Sequence, residues 1–113
     1  MISDYFPAEY RLRKSIERNA RDILRFLAVD LGERTLRRYG NLQAAAEFIR
    51  GRFAAGGAPV RNEEYEVEGR GVANIRAELP GIEYPEKIIV VGAHYDTIED
   101  TPGADDNASG IAG

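Results

Sequence analysis

The sequence predicts an α/β fold: the first part of a mixed sheet covered by helices. Three patterns predict it: apolar residues at helical spacing at the front, alternating polar and apolar residues from about residue 64, and an unbroken apolar run at 88–93. Two helices, a β-hairpin and one buried central strand account for these patterns in chain order. At 113 residues the chain forms at most one small domain, helical over 1–56 and β-rich over 57–113.

The first helix is predicted from about Glu9 to Leu31. Pro7 lies near its first turn, and Gly32 is expected to end it. The residues of its apolar stripe recur every three or four positions, which is the repeat of one helix face: Leu12, Ile16, Ala20, Ile23, Leu27 and Leu31.

A second helix is predicted from about Leu42 to Ala55. Asn41 is a suitable N-cap residue, because its side chain can accept a hydrogen bond from a free backbone N–H group. The Gly56-Gly57 pair is expected to end this helix.

Alternation then predicts a hairpin. Tyr65 and Val67 alternate with glutamates, and a second alternating segment covers 74–79. We expect one wet and one half-buried face on each strand. The turn is predicted at Gly69-Arg70-Gly71, because glycines accept the backbone conformations of tight turns.

The run Ile88–Ala93 is apolar without alternation, which is typical of a strand buried on both faces inside a helix-covered sheet. The polar, acidic segment 95–107 that follows is predicted to be a loop. Residues 107–113 look like the beginning of a helix. We interpret the unpartnered central strand as a sign that the chain is the front part of a larger domain, and expect such a strand edge to promote self-association.

Charge is unevenly distributed along the chain. Residues 1–56 carry 11 Lys/Arg against 7 Asp/Glu, whereas residues 57–113 carry 4 against 12, which gives +4 and −8 and the net charge of −4. The basic half lacks interleaved exposed aromatic residues, and its arginines fall on the polar face of a predicted helix. We therefore do not predict nucleic-acid binding.

Composition restricts the remaining classes. No stretch approaches the roughly 18 to 20 apolar residues of a membrane span, so no membrane partner is predicted. Residues 1–6 lack the basic and apolar pattern of an export signal, which makes the cytoplasm the default location. There is no cysteine and a single histidine, which excludes thiolate sites and any zinc site that uses two histidines of this chain.

That histidine lies in the most informative segment. His94 and Asp96 are two residues apart after the predicted strand, so their side chains should leave on the same side. With the acidic pair Asp105-Asp106 downstream, an imidazole and nearby carboxylates suit a divalent metal ion, zinc first. A lone histidine at a strand end is more often simply packed or hydrogen-bonded, and the spacing alone leaves both interpretations open.

Two longer motifs, Val91–Thr97 and Pro102–Gly110, resemble the first metal-binding segment of the cocatalytic-zinc exopeptidases. These comprise bacterial leucine-type aminopeptidases, glutamate carboxypeptidases and glutaminyl cyclases. The two helices and the hairpin also fit, so the resemblance covers nearly the whole chain. It implies a phosphorylase/hydrolase-like zinc-peptidase fold, of which this chain is the incomplete N-terminal portion.

The resemblance implies a role for each matched residue. His94 would be a ligand of one zinc ion, Asp96 the carboxylate that orients His94, and Asp106 the carboxylate that bridges two zinc ions. Asp105 would not be a ligand. The peptide bond between Asp106 and Asn107 would be cis.

The chain also departs from the family pattern. The family requires a Glu-Glu pair, a further acidic ligand and a second histidine after this segment, and Glu63-Glu64 lies too early to match. Two of five metal ligands are therefore present. We expect part of a zinc aminopeptidase acting on peptides with a free N-terminus, inactive as this chain alone and forming a homo-oligomer. A carboxypeptidase, or a non-catalytic self-associating or protein-binding module, are the alternatives.

Overall fold

The structure is a computed structural model that describes residues 5–113, so the first four residues, on which part of the export-signal prediction rests, lie outside it. The first helix, α1, spans Ala8–Leu24 and continues without a break as a π-helix over Arg25–Leu31. This confirms the predicted helix to within a residue at its start. Gly32, at φ 77°, ends it, because a glycine adopts this left-handed conformation without steric cost.

The second helix, α2, spans Tyr39–Ala55 and begins three residues before the predicted Leu42. The prediction of Asn41 as its N-cap is wrong. Asn41 lies inside the helix, and its side-chain amide donates to two carbonyl oxygens in segment 31–33, both at 2.9 Å. The amide thus joins the two helices instead of capping one of them.

The hairpin consists of β1, Val60–Val67, and β2, Arg70–Ala77, paired antiparallel over their full length. Its turn is Glu68-Gly69, at φ 51° and 77°, and not the predicted segment 69–71. Positive φ at both central residues defines the tight two-residue turn that matches the twist of the strands. The hairpin is more exposed than predicted. Every residue of β1 after Val60 is exposed, including those of the face that was expected to be half-buried.

The predicted central strand is wrong in this structure. Ile88–Ala93 forms no strand, and Ile88 and Val91 are 80% and 93% exposed. A strand buried on both faces needs neighbouring strands, and within residues 5–113 the two strands of the hairpin pair with each other alone. The mixed α/β class is confirmed, as helices with a two-stranded antiparallel sheet. The larger mixed sheet stays a prediction.

The core lies where the end of the first helix meets α2 and the last turns of the chain. Leu27, Ala45 and Ala108 are fully buried there, and a ring of partly buried residues surrounds them: Ile23, Leu24, Phe26, Ala28, Leu31, Phe48, Tyr95 and Ile111. The N-terminal part of the predicted apolar stripe lies outside this core, since Leu12 and Ile16 are 63% and 59% exposed. No helix among residues 5–113 combines the length and apolar character needed to cross a membrane.

Core packing predicts that alanine substitutions of two leucines in the same apolar stripe have very different effects on the free energy of unfolding. Leu27→Ala should lower the free energy of unfolding by about 2–5 kcal/mol, because it leaves a cavity in the core. Leu12→Ala, at an exposed position, should change it by no more than about 0.5 kcal/mol. Urea unfolding followed by circular dichroism measures both, and equal losses for the two variants would contradict the packing described.

Candidate metal centre

The site begins on a short segment whose side chains point alternately inward and outward. Tyr95 packs on the core and donates its hydroxyl to the carbonyl oxygen of Ala73 in β2 at 2.6 Å, and Thr97 is buried. His94 and Asp96, one residue out of phase, are exposed. The inward residues anchor the segment, and the outward pair is thereby presented on the surface.

The imidazole of His94 is held between two carboxylates. Its Nδ1 lies 3.0 Å from Asp96 Oδ1, and its Nε2 lies 2.9 Å from Asp106 Oδ1. The side chain of His94 is 52% exposed, so Nε2 is accessible from solvent. The structure therefore brings together all three residues that the sequence singles out. Each ring nitrogen of His94 faces a different carboxylate, Nδ1 that of Asp96 and Nε2 that of Asp106. Their roles toward a metal ion stay predictions.

Asp106 is placed by a kinked turn. Residues Ala104–Ala108 form a single π-helical turn that leads directly into a short helix, α3, at Ser109–Ala112. Asp106 and Asn107 leave helical φ/ψ inside this turn, and the peptide bond between them is cis, as the resemblance implies. The helical turns therefore begin three residues earlier than predicted, and Asp106 lies at the interruption within them.

Sequence reasoning missed the residue that holds these loops. Arg34 is fully buried and donates to five backbone carbonyl oxygens at 2.6–3.1 Å, those of Leu27, Gly32, Tyr95, Pro102 and Gly103. Arginine is mostly a surface residue, so its position after a helix gave no signal of burial. In the structure it joins the end of the first helix to both loops of the site.

The backbone of Arg34 adds to this connection. Its N–H donates to Thr97 Oγ1 at 3.0 Å, and its carbonyl oxygen accepts from the N–H of Thr97 at 2.9 Å. Burial lowers the pKa of Arg34 from its ordinary value, and the charge of Asp96 opposes that effect.

A second charged network ties down the loop between the two motifs. Glu33 Oε1 accepts from Arg37 at 2.6 Å and from the N–H of Asp100 at 2.7 Å, while Oε2 accepts from the hydroxyl of Thr35 at 2.7 Å. The hydrogen bond from Arg37, then those from Thr35 and Asp100, lower the pKa of Glu33 to about 2. Arg37 also contacts the carboxylate of Asp100 at 2.6 Å, so the network fixes residues 99–100 beside the first motif.

The protonation of His94 follows from its neighbours. Partial burial lowers its pKa, but hydrogen bonds with Asp96 and the charges of Asp96 and Asp106 outweigh this, so the pKa is raised overall. The two carboxylates therefore favour a cation between them. A divalent metal ion at Nε2 would compete with that proton, because metal binding requires the neutral imidazole.

The spacing of the two donor atoms suits the zinc ion that the resemblance implies. Two ligand atoms, each about 2.0–2.2 Å from one zinc ion at a tetrahedral angle, are about 3.3 Å apart. His94 Nε2 and Asp106 Oδ1, 2.9 Å apart, are within a few tenths of an ångström of that spacing. Among residues 5–113, however, no group of three or more His, Asp and Glu side chains forms a metal-binding cluster. The two donors fit a metal ion but do not enclose it.

Comparisons with known proteins concern the segment that carries this site. Residues 74–113, which include both motifs, match the model of "Peptidase family M28". This match supports a likeness to the cocatalytic-zinc exopeptidases, a family that is generally zinc-dependent.

The chain is also similar to a protein of Escherichia coli strain K12, "Uncharacterized protein YfbL". The two are 36% identical over 98 residues, which is 80% of this chain and 30% of the relative. The chain thus spans less than a third of the length of that relative. No solved structure matches the chain.

Close packing at Gly103 predicts that the site loop does not tolerate a side chain there. A Cβ would contact Thr97 Cγ2, lie 2.6 Å from the carbonyl oxygen of Asp106 and 3.0 Å from Arg34 Nη2, at φ +57°. Gly57→Ala is the matched control, because Gly57 has φ +82° but open space around it. That control should cost about 1–2 kcal/mol of stability from its backbone alone.

Gly103→Ala should exceed that loss by about 1–3 kcal/mol, because the added methyl group overpacks the loop. Urea unfolding of both variants provides the measurement. A loss no larger than that of Gly57→Ala would show that the loop accommodates the methyl group.

The Glu33 network predicts an acid-dependent contribution to stability. Its pKa is about 2 in the folded chain and 4.5 ordinarily, so its stabilisation is complete above pH 4.5 and is lost as the pH falls toward 2. Glu33→Gln should therefore be less stable than the natural chain at pH 7, and this difference should shrink below pH 4.5. Urea midpoints between pH 7 and pH 2.5 measure it; a constant difference would contradict the network.

Proposed function

We propose that this chain contributes a metal-binding segment to a zinc-dependent aminopeptidase that releases N-terminal residues from peptides. One observation carries the proposal: His94 Nε2 faces Asp106 Oδ1 at 2.9 Å while Nδ1 of the same ring is held by Asp96 at 3.0 Å. A histidine that ligates a metal ion almost always donates its other ring N–H to a carboxylate, a backbone carbonyl group or water, as His94 Nδ1 can do toward Asp96. The M28 match over residues 74–113 supports a peptidase.

Each residue has a distinct part in this proposal. His94 and Asp106 would hold zinc, and Asp96 would keep the His94 proton on Nδ1, which leaves the Nε2 lone pair for the metal. A carboxylate has two oxygens, so Asp106 is also suited to bridging a second ion. When bound, zinc would supply an acidic water molecule and polarise the scissile carbonyl group.

We further propose that the chain by itself does not turn over peptides. Catalytic zinc sites generally use three protein ligands and keep one position open, and this chain offers two facing donors. Its sequence has one histidine, so no second imidazole can complete the shell. The Glu63-Glu64 pair does not supply the general base, because both residues lie in β1 and Glu63 contacts Arg76 at 3.3 Å.

The aminopeptidase is preferred to a carboxypeptidase on the second motif. Residues 103–110 resemble the aminopeptidase branch of the family more closely. The substrate would then be a peptide with a free N-terminus, whose amine binds beside one metal ion. Side-chain preference would depend on residues outside the two motifs.

Zinc binding tests the proposed site directly. Isothermal titration of the untagged chain with zinc should show binding that His94→Ala and Asp106→Asn each weaken at least tenfold. Asp105→Asn is the matched control, because it removes the same charge one residue away and should leave the affinity within about twofold. Absence of zinc binding to the natural chain, or equal loss in the Asp105 control, would overturn the assignment.

Activity tests the second part of the proposal. With leucine p-nitroanilide and added zinc, the isolated chain should release no p-nitroaniline above the rate of free zinc. Release that scales with protein concentration and is abolished by His94→Ala would show that the chain is a complete enzyme.

The exposed run Ile88–Val91 favours a second candidate function, self-association. Its four side chains are 80–93% exposed, and within residues 5–113 no strand pairs with its backbone. A second copy offers the same apolar residues and the same free N–H and C=O groups, so two runs could pair edge to edge. We propose a homodimer through this run, as a module whose role is association and not catalysis.

Light scattering during size-exclusion chromatography tests the dimer. The natural chain should run as a dimer, and Val90→Lys should shift it to a monomer because a charge would be buried in the paired run. Ile82→Lys is the control at another exposed position, 98% accessible, and should remain dimeric. A natural chain that stays monomeric at high concentration would contradict self-association.

A further inference from the structure

The two halves of the candidate metal centre lie on two separate segments of the chain. His94 and Asp96 belong to segment 94–97, and Asp106 belongs to the turn that begins after Gly103. No backbone-to-backbone hydrogen bond within the described chain joins these two segments. Their separation must therefore be set by side chains or by a third element.

Arg34 is that third element. Its Nε donates to the carbonyl oxygen of Tyr95 at 2.7 Å, next to His94, and its Nη1 and Nη2 donate to Pro102 at 2.9 Å and Gly103 at 3.1 Å. One planar guanidinium group thus contacts both segments of the site. A guanidinium holds its donors in a fixed fork, so it constrains the distance between the groups it binds.

The same guanidinium group is also attached to the helical part of the chain. Arg34 Nη1 also donates to Leu27 at 2.6 Å and Gly32 at 2.8 Å, at the end of the first helix. The backbone of Arg34 reinforces this attachment, because its N–H donates to the hydroxyl of Thr97 and its carbonyl oxygen accepts from the N–H of Thr97. Arg34 therefore attaches both segments to the end of the first helix.

Core filling alone does not explain a buried arginine here. Burying a charged group is costly, and an apolar side chain of similar volume is often equally stabilising. All five side-chain acceptors of Arg34 are backbone carbonyl oxygens, and three of them lie in the segments that carry the site. An apolar residue could fill the space, but it could not hold these carbonyl groups in place by hydrogen bonds.

We infer that Arg34 is a positioning residue, whose guanidinium fork sets the separation of His94 and Asp106 and so preorganises the proposed metal site. The inference rests on the proposed function for its purpose, although the geometry it describes exists without a metal ion. The inference predicts that removing hydrogen bonds of the Arg34 guanidinium changes the environment of the His94 ring and lowers the affinity for zinc. A substitution elsewhere that costs the same stability should affect both less.

The experiment compares untagged Arg34→Lys and Arg34→Met with Ile49→Ala, a variant at a buried position of α2. The first readout is the ¹⁵N-NMR spectrum of the imidazole in metal-free protein, which reports His94 alone because the chain has one histidine. The natural chain and Ile49→Ala should show the same ring signals of His94. Both Arg34 variants should shift these signals, because the ring would no longer lie at the same distances from Asp96 and Asp106.

The second readout is zinc affinity by titration. Both Arg34 variants should bind zinc about 10- to 100-fold more weakly, the usual effect of removing a residue that supports metal ligands. Ile49→Ala should stay within about twofold of the natural chain while it remains folded. Unchanged His94 signals and unchanged affinity in Arg34→Lys and Arg34→Met would overturn the inference.

A measurement on the natural chain covers the case in which an Arg34 variant does not fold. The Nε–H of Arg34 should exchange slowly with solvent, and zinc should shift its NMR signal. Rapid exchange would overturn the inference. If the natural chain binds no zinc, the proposed function fails, and the imidazole spectra of the folded variants alone then decide the role of Arg34.

Discussion

The hydrogen bonds from one buried guanidinium group to five carbonyl oxygens are the interaction on which this structure depends. Hydrogen bonds to a charged group contribute about 1.5–3 kcal/mol each, so this set is strong relative to the small core of the chain. Its acceptors belong to three stretches far apart in sequence, at 27–32, 95 and 102–103. The loops that carry the candidate site are therefore attached to the end of the first helix.

This explains how the site keeps its geometry while the run at 88–93 forms no strand. Tyr95 and Thr97 pack inward immediately after that run, and Ala108 enters the core on the other side of the site. Each motif is thus anchored by an inward residue and by Arg34. The surface between the two anchors presents His94 and Asp106 at 2.9 Å, although the apolar run remains open to solvent.

Sequence patterns predicted the local elements well, and their failures have physical causes. Helix, hairpin and the residues of the site follow from spacing and from the resemblance of two motifs, because neighbours along the chain determine them. The central strand at 88–93 failed, since a strand depends on partners that pattern alone cannot supply. Arg34 was missed for a related reason: its burial depends on carbonyl groups more than 60 residues away.

Arg34 lies outside the segment that matches the M28 family model. The M28 match covers residues 74–113 and contains every proposed ligand, but it does not contain Arg34, Glu33 or Thr35. The residues that orient the ligand loops thus come from the connection between the two helices, outside the matched segment. The motifs supply the proposed metal ligands, whereas Arg34, which we infer to set the distance between them, lies in the helical part of the chain. A segment limited to the motifs would keep the chemistry of the ligands and lose the framework that brings them together.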